Sequence, residues 1–128
     1  MTQIFRFLVG VLGILSIGTA FPHWFRLDSI AAERGLQAAG LVGRANLRAD
    51  VGGIFIAIGV LALIAVWSRN RMWLAATLAV VCSALTGRFA SLALDGTGPG
   101  IVEPIATEAV VVAILAGAWK SWGNDIRA

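Results

Sequence analysis

The chain reads as an all-α integral membrane protein: a four-helix bundle with both termini on the same side. Three observations predict this. Of the 128 residues, 59% are hydrophobic and 13% are charged, whereas a soluble domain carries about 25% charged residues. The apolar residues fall into four runs, each near the roughly 20 residues needed to cross a hydrocarbon core of about 30 Å. The breaks between runs are polar, basic or rich in glycine. One domain over residues 1–128 follows, with spans at about 4–22, 48–67, 72–94 and 102–122.

The first run, from Ile4 to about Phe21, is interrupted only by Arg6. Its basic start and the small residues between Ser16 and Ala20 also fit a signal peptide. The apolar runs that follow favour a first membrane span instead. Pro22 would end or bend this helix. Residues 23–47 form the longest connection. Asp28 or Ser29 would cap a short helix to about Ala39, closed by Gly40. That helix would lie at the interface or fold over the mouth of the bundle. His23 reads as an interfacial side chain, because a metal site would need partners that the sequence does not cluster.

The second run extends from about Leu47 to Trp67. The basic turn Ser68 to Arg71 is so short that the next run, Met72 to about Leu94, must lie antiparallel beside it. Asp95 to Gly100 reads Asp-Gly-Thr-Gly-Pro-Gly, a turn composition. The last run reaches Trp122. Pro104 suits its first turn, and Glu103 and Glu108 lie where the helix dipole favours negative charge. The tail from Gly123 to Ala128 is polar and would fray. Cys82, the lone cysteine, reads as a small buried hydrophobe.

Aromatic residues support the division. With an even number of crossings, Trp67, Trp73, Trp119 and Trp122 fall at one interface, and Phe21, Trp24, Phe25 and Phe89 at the other. Small residues recur every four positions: Ala75, Ala79, Ser83, Gly87 and Ser91; Ala109, Ala113, Gly117 and Ser121; Ala49, Gly53 and Ala57. Such ladders are expected to let membrane helices approach closely. For orientation, one end carries Arg6, Arg69, Arg71, Lys120 and Arg127, and the other Arg26, Arg34, Arg44, Arg48 and Arg88. If Arg48 and Arg88 are partly embedded, the short turn with Arg69 and Arg71 decides. The positive-inside rule then puts that turn and both termini in the cytoplasm.

Net charge is +3. The basic residues form no stripe and no recognised motif, so nucleic acid is not an expected partner. The informative charges are those in or beside apolar runs. Arg48, Asp50, Arg88, Asp95 and Glu108 should all lie at one level, the outer rim of the bundle. Intramembrane ionisable groups mark a candidate site. Arg88, Ser91 and Asp95 are spaced to share a helix face. Arg48 and Asp50, two apart, cannot share one. Either a helix begins near Asp50 and Arg48 leans over the mouth, or one of the two faces away. Two arginines with two or three carboxylates could form a buried ion-pair network, a role suited to the guanidinium fork.

The chain resembles a family of small bacterial membrane proteins known as domain of unknown function 4345. The resemblance rests on Leu47-Arg48-Ala49-Asp50 with Gly52-Gly53, then Gly87-Arg88, Ser91-Leu92, Asp95-Gly96 and Glu108. It spans most of the chain and implies four helices and the same rim residues, but no established activity. Val51 departs from the aromatic residue common there in the family, which implies a different neighbouring pocket. The family is itself similar to small four-helix proteins linked to quinone or thiol oxidation, although no redox residue here supports that link.

The expected function is therefore that of a non-catalytic membrane protein. It would bind membrane lipids or a lipid-like molecule through Arg48, Asp50, Arg88, Ser91, Asp95 and Glu108, or act as an accessory subunit of a larger membrane complex. A small membrane enzyme is the alternative, with the arginines orienting a hydrophobic substrate and Asp50 or Glu108 transferring a proton. No standard catalytic motif occurs, and no metal or cofactor is expected. A transporter is disfavoured by the apolar cytoplasmic half and the lack of an internal repeat.

Overall fold

The computed structural model describes residues 2–125, with side chains through Trp122. The polar end of the tail, including Arg127, lies outside the described residues. In order, the helices are α1 (Thr2–Phe25), α2 (Leu27–Glu33), α3 (Gly40–Asn46), α4 (Gly53–Ser68), α5 (Arg71–Asp95) and α6 (Val102–Asp125). One π-helical segment occurs among the described residues, Leu47–Gly52, and joins α3 to α4. There is no strand among the described residues. Four helical stretches are long and apolar enough to cross a membrane: Thr2–Phe25, Gly40–Ser68, Arg71–Asp95 and Val102–Trp122.

Each long helix packs on two others: α1 on α4 and α6, and α5 on α4 and α6. Particular contacts fix their directions. The Thr2 and Ser121 hydroxyls are 3.0 Å apart, and Arg6 reaches the carbonyl of Val66, while the carbonyl of Arg48 accepts from Trp24. So α1 runs antiparallel to both neighbours. The buried core joins Val9 and Leu12 of α1 to Ile58, Ala62 and Ala65 of α4, Leu74 and Val81 of α5, and Leu115, Ala118 and Trp122 of α6. Trp122, at the end of α6, is packed into this core, whereas Trp67 stands 91% exposed.

Helices α1 and α4 approach closely, and the approach depends on two glycines. A Cβ at Gly59 would lie 2.7 Å from the Gly13 carbonyl oxygen, and one at Gly13 would lie 3.1 Å from the Gly59 oxygen. Only hydrogen at both positions lets these backbones touch. The predicted ladder on this helix, Ala49, Gly53 and Ala57, lies on a different face, with both alanines exposed. The π turn changes the register between Ala49 and Gly53, and Ala57, in the regular part of α4, faces away from α1.

The connections differ in how they meet expectation. Helix α1 continues through Pro22, and the Pro22 carbonyl accepts from the Arg26 amide at 2.8 Å. The short helix begins at Leu27 and ends at Glu33, well before Ala39. Gly35, at φ 66°, supplies the left-handed turn that stops it. The Leu36 amide bonds the Ala31 carbonyl at 2.7 Å and the Gly35 amide bonds Ala32 at 3.2 Å, the paired pattern of a Schellman ending. Leu27 and Ala31 are buried as α2 packs back onto α1. The turn after Ser68 uses Arg69 in the left-handed region at φ 53°, and the Asn70 side chain caps α5 by accepting from the Met72 amide at 2.8 Å. The predicted turn after Asp95 is present, with Gly96 and Gly100 both at positive φ.

Candidate functional site

The predicted rim residues separate into two arrangements on different helix pairs. The first joins the end of α1 to the π segment. Arg48 Nε donates to the Trp24 carbonyl at 3.0 Å, and Trp24 Nε1 donates back to the Arg48 carbonyl at 3.1 Å. Gly52 lies directly beneath: a Cβ there would fall 2.6 Å from Trp24 Nε1. The widened turn and the missing side chain together let the indole reach the backbone. Asp50 points elsewhere and is exposed. Of the two alternatives for this pair, the structure therefore shows Arg48 engaged and Asp50 facing away.

The second arrangement joins α5 to α6. Arg88 Nε donates to Glu108 Oε1 at 2.7 Å, a charge-assisted distance. The Glu108 side chain is 19% exposed and that of Arg88 41%. Arg88 lies on the same side of α5 as the buried Leu74 and Val81, at helical spacing from both. Glu108 Oε2 is buried and has no partner among the described residues. Ser91 and Asp95, predicted to share the Arg88 face, are exposed in the last turns of α5. The expected network of two arginines with several carboxylates is thus reduced to one pair, Arg88 with Glu108. Arg48 is held by a carbonyl, and Asp50 and Asp95 accept no side-chain hydrogen bond among the described residues.

The connection between α1 and α4 supplies partners that the sequence pattern missed. Arg44 of α3 grips Asp28 of α2 through two contacts, Nη1 to Oδ1 and Nη2 to Oδ2, the latter at 3.1 Å. The hydrogen bond from Arg44 holds the Asp28 carboxyl below its ordinary pKa. His23, expected at the interface, is buried at 2% exposure. Its ring stacks on Phe55 at 5.6 Å, and Nδ1 lies 2.8 Å from the Thr19 carbonyl. That carbonyl requires a proton on Nδ1. The Arg34 guanidinium lies 5.8 Å from the other partner in this stack, Phe55. The four-residue spacing of Thr19 and His23 was the one available signal. The Asp28–Arg44 pair, sixteen apart, had none.

The opposite end is built from cations and aromatics. Arg71 lies 4.1 Å from the Trp119 ring centroid, inside cation–π range. Cys82 is partly buried on α5 as a free thiol. No group of three or more potential metal ligands occurs among the described residues.

Four spans of this length and composition define a class, the multi-pass helical membrane protein. Compared with protein-family models, curated proteins and solved structures, the chain matches none.

Proposed function

We propose that this protein is a non-catalytic, four-helix membrane subunit that docks on a larger membrane complex through one face of α5. The observation that carries the reading is the small-residue ladder. Ala75, Ala79, Ser83, Gly87 and Ser91 are all exposed, so the face predicted to pack inside the chain is free of it. A run of small side chains lets another helix approach closely. Gly87 sharpens the point, since a Cβ there would meet nothing within 4 Å.

The rim charges support a non-catalytic role. Arg48 and Glu108 are each engaged in holding one helix to another. Neither potential proton carrier has the setting the enzyme reading needs: Asp50 is exposed and Glu108 is paired with Arg88. The helix pairing and the Thr2–Ser121 contact support a closed bundle with both termini on one side. Arg6, Arg69, Arg71 and Lys120 at that end favour its cytoplasmic placement in a bacterial inner membrane. The motif around Arg48, Arg88 and Glu108 supports membership of the family it resembles, domain of unknown function 4345.

Native purification in a mild detergent tests the docking reading. A discrete complex larger than the chain should appear for the natural protein. Gly87→Leu should release it while leaving the chain helical, because the new side chain enters open space. Migration of both proteins at the same small size would refute the proposal.

A further inference from the structure

Arg6 is a charge within a predicted span, and its contacts leave it unsatisfied. Nη2 reaches the Val66 carbonyl at 3.4 Å and Nη1 reaches Gln3 Oε1 at 3.5 Å, both beyond the usual 2.7–3.2 Å range (about) for such bonds. Nε is buried and has no acceptor among the described residues. The ion pairs among the described residues do not include Arg6.

A shallow groove of about 410 Å³, largely open to the outside, lies beside it. Gln3 and Arg6 form its polar end. Gly10, Val11 and Ile14 continue it along α1, with Val66 of α4 on the other side. Gly10 helps to make the space, since a Cβ there would meet nothing within 4 Å. Arg6 to Ile14 spans about 12 Å along a helix at roughly 1.5 Å per residue. One leaflet of the hydrocarbon core is about 15 Å deep. The groove thus has a cation at one end and an apolar track about one leaflet long.

We propose that this groove between α1 and α4 binds an anionic phospholipid, with its phosphate on Arg6 and an acyl chain along Gly10, Val11 and Ile14. The guanidinium presents several donors in a fork that matches phosphate oxygens. Phe7 also lines the groove, and the exposed Ile4 and Leu15 add apolar surface on the same helix, which suits a ligand arriving from the bilayer. The site is separate from the α5 face and from the rim pairs. It rests on the reading that α1 and α4 cross a membrane.

Native mass spectrometry of the detergent-purified protein tests this. The protein is offered equimolar phosphatidylglycerol and phosphatidylcholine with identical acyl chains. Phosphatidylglycerol adducts should dominate by about fivefold, the effect of one basic residue at an anionic surface. Arg6→Gln should bring the ratio close to one. Gly10→Leu keeps the charge but fills the groove, and should reduce retention of both lipids. An unchanged ratio in Arg6→Gln would overturn the headgroup contact, and unchanged retention in Gly10→Leu would overturn the groove. Glycerol phosphate, which lacks acyl chains, should give no adduct; binding equal to that of the lipid would overturn the lipid assignment. Release of the protein from membranes by alkaline carbonate would instead refute the membrane-crossing reading on which the proposal rests.

Discussion

Breaking the Arg88–Glu108 pair should destabilise the α5–α6 contact by an amount set by its partial burial. The perturbations are Glu108→Leu and Arg88→Leu, each alone and the two combined. Nε and Oε1 are 2.7 Å apart, and a hydrogen bond to a charged group contributes about 1.5–3 kcal/mol. The Arg88 side chain is 41% exposed, so part of its charge is already reached by solvent or headgroups. That places the single substitution near the lower end, about 1.5–2 kcal/mol. Glu108→Leu leaves Arg88 without its carboxylate, while the double substitution removes both charges. The double variant should therefore lie within about 1 kcal/mol of the natural protein, since apolar replacement of a buried pair is often near neutral. Unfolding in mixed detergent micelles, followed by tryptophan fluorescence and circular dichroism, gives the four stabilities of the cycle. The predicted coupling is about 1 kcal/mol or more. Additive single effects, with coupling within roughly 0.3 kcal/mol, would refute the claim that this pair holds the two helices together.

Two other perturbations follow from the geometry. Gly59→Val should separate α1 from α4, because even its Cβ would lie 2.5 Å from Ile17 Cγ1 and 2.7 Å from the Gly13 carbonyl oxygen; the same micelle titration should register a loss of about 1–3 kcal/mol. For pH, Asp28 has its pKa lowered by the hydrogen bond from Arg44. A lowered carboxylate pKa gives stabilisation that is present above the unfolded value and is lost as pH falls through the folded one. Protection of the α2–α3 connection, read by limited pepsin cleavage, should therefore persist to a pH below the ordinary aspartate range and then fall. In Arg44→Gln the fall should begin within that ordinary range. Identical profiles for the two proteins would contradict the pairing.

Periodicity and composition were sufficient to read the long helices. Four apolar runs gave four helices capable of crossing a membrane, and the glycine-rich turn and the Ser68–Arg71 connection fell where their residues put them. The rim was only partly legible. Arg88 and Glu108 are the charges closest to the middle of their runs, and they meet. Asp50 and Asp95 were grouped with them by membrane depth, which carries no information about the direction in which a side chain faces. Ser91 and Asp95 were also placed on the Arg88 face by spacing, but a shared face on α5 does not supply a partner, and both are exposed. The π segment explains much of the remainder. Nothing in Leu47-Arg48-Ala49-Asp50-Val51-Gly52 announces a wider turn, yet that turn moves Gly52 onto Trp24. His23 was read as interfacial because the sequence gives no sign of its stacking on Phe55, thirty-two residues away. The α5 ladder was visible as a pattern, but a pattern of small residues does not say whether its partner lies in the same chain.

The central claim is that the exposed α5 face meets another protein within the membrane. Photo-crosslinking in native membranes tests it most directly, with a photoreactive residue placed at Ala79 on that face or at Val60, which is 41% exposed on α4. The account predicts a discrete protein adduct from Ala79 and only lipid adducts from Val60. The same lipid-only pattern at both positions would contradict it.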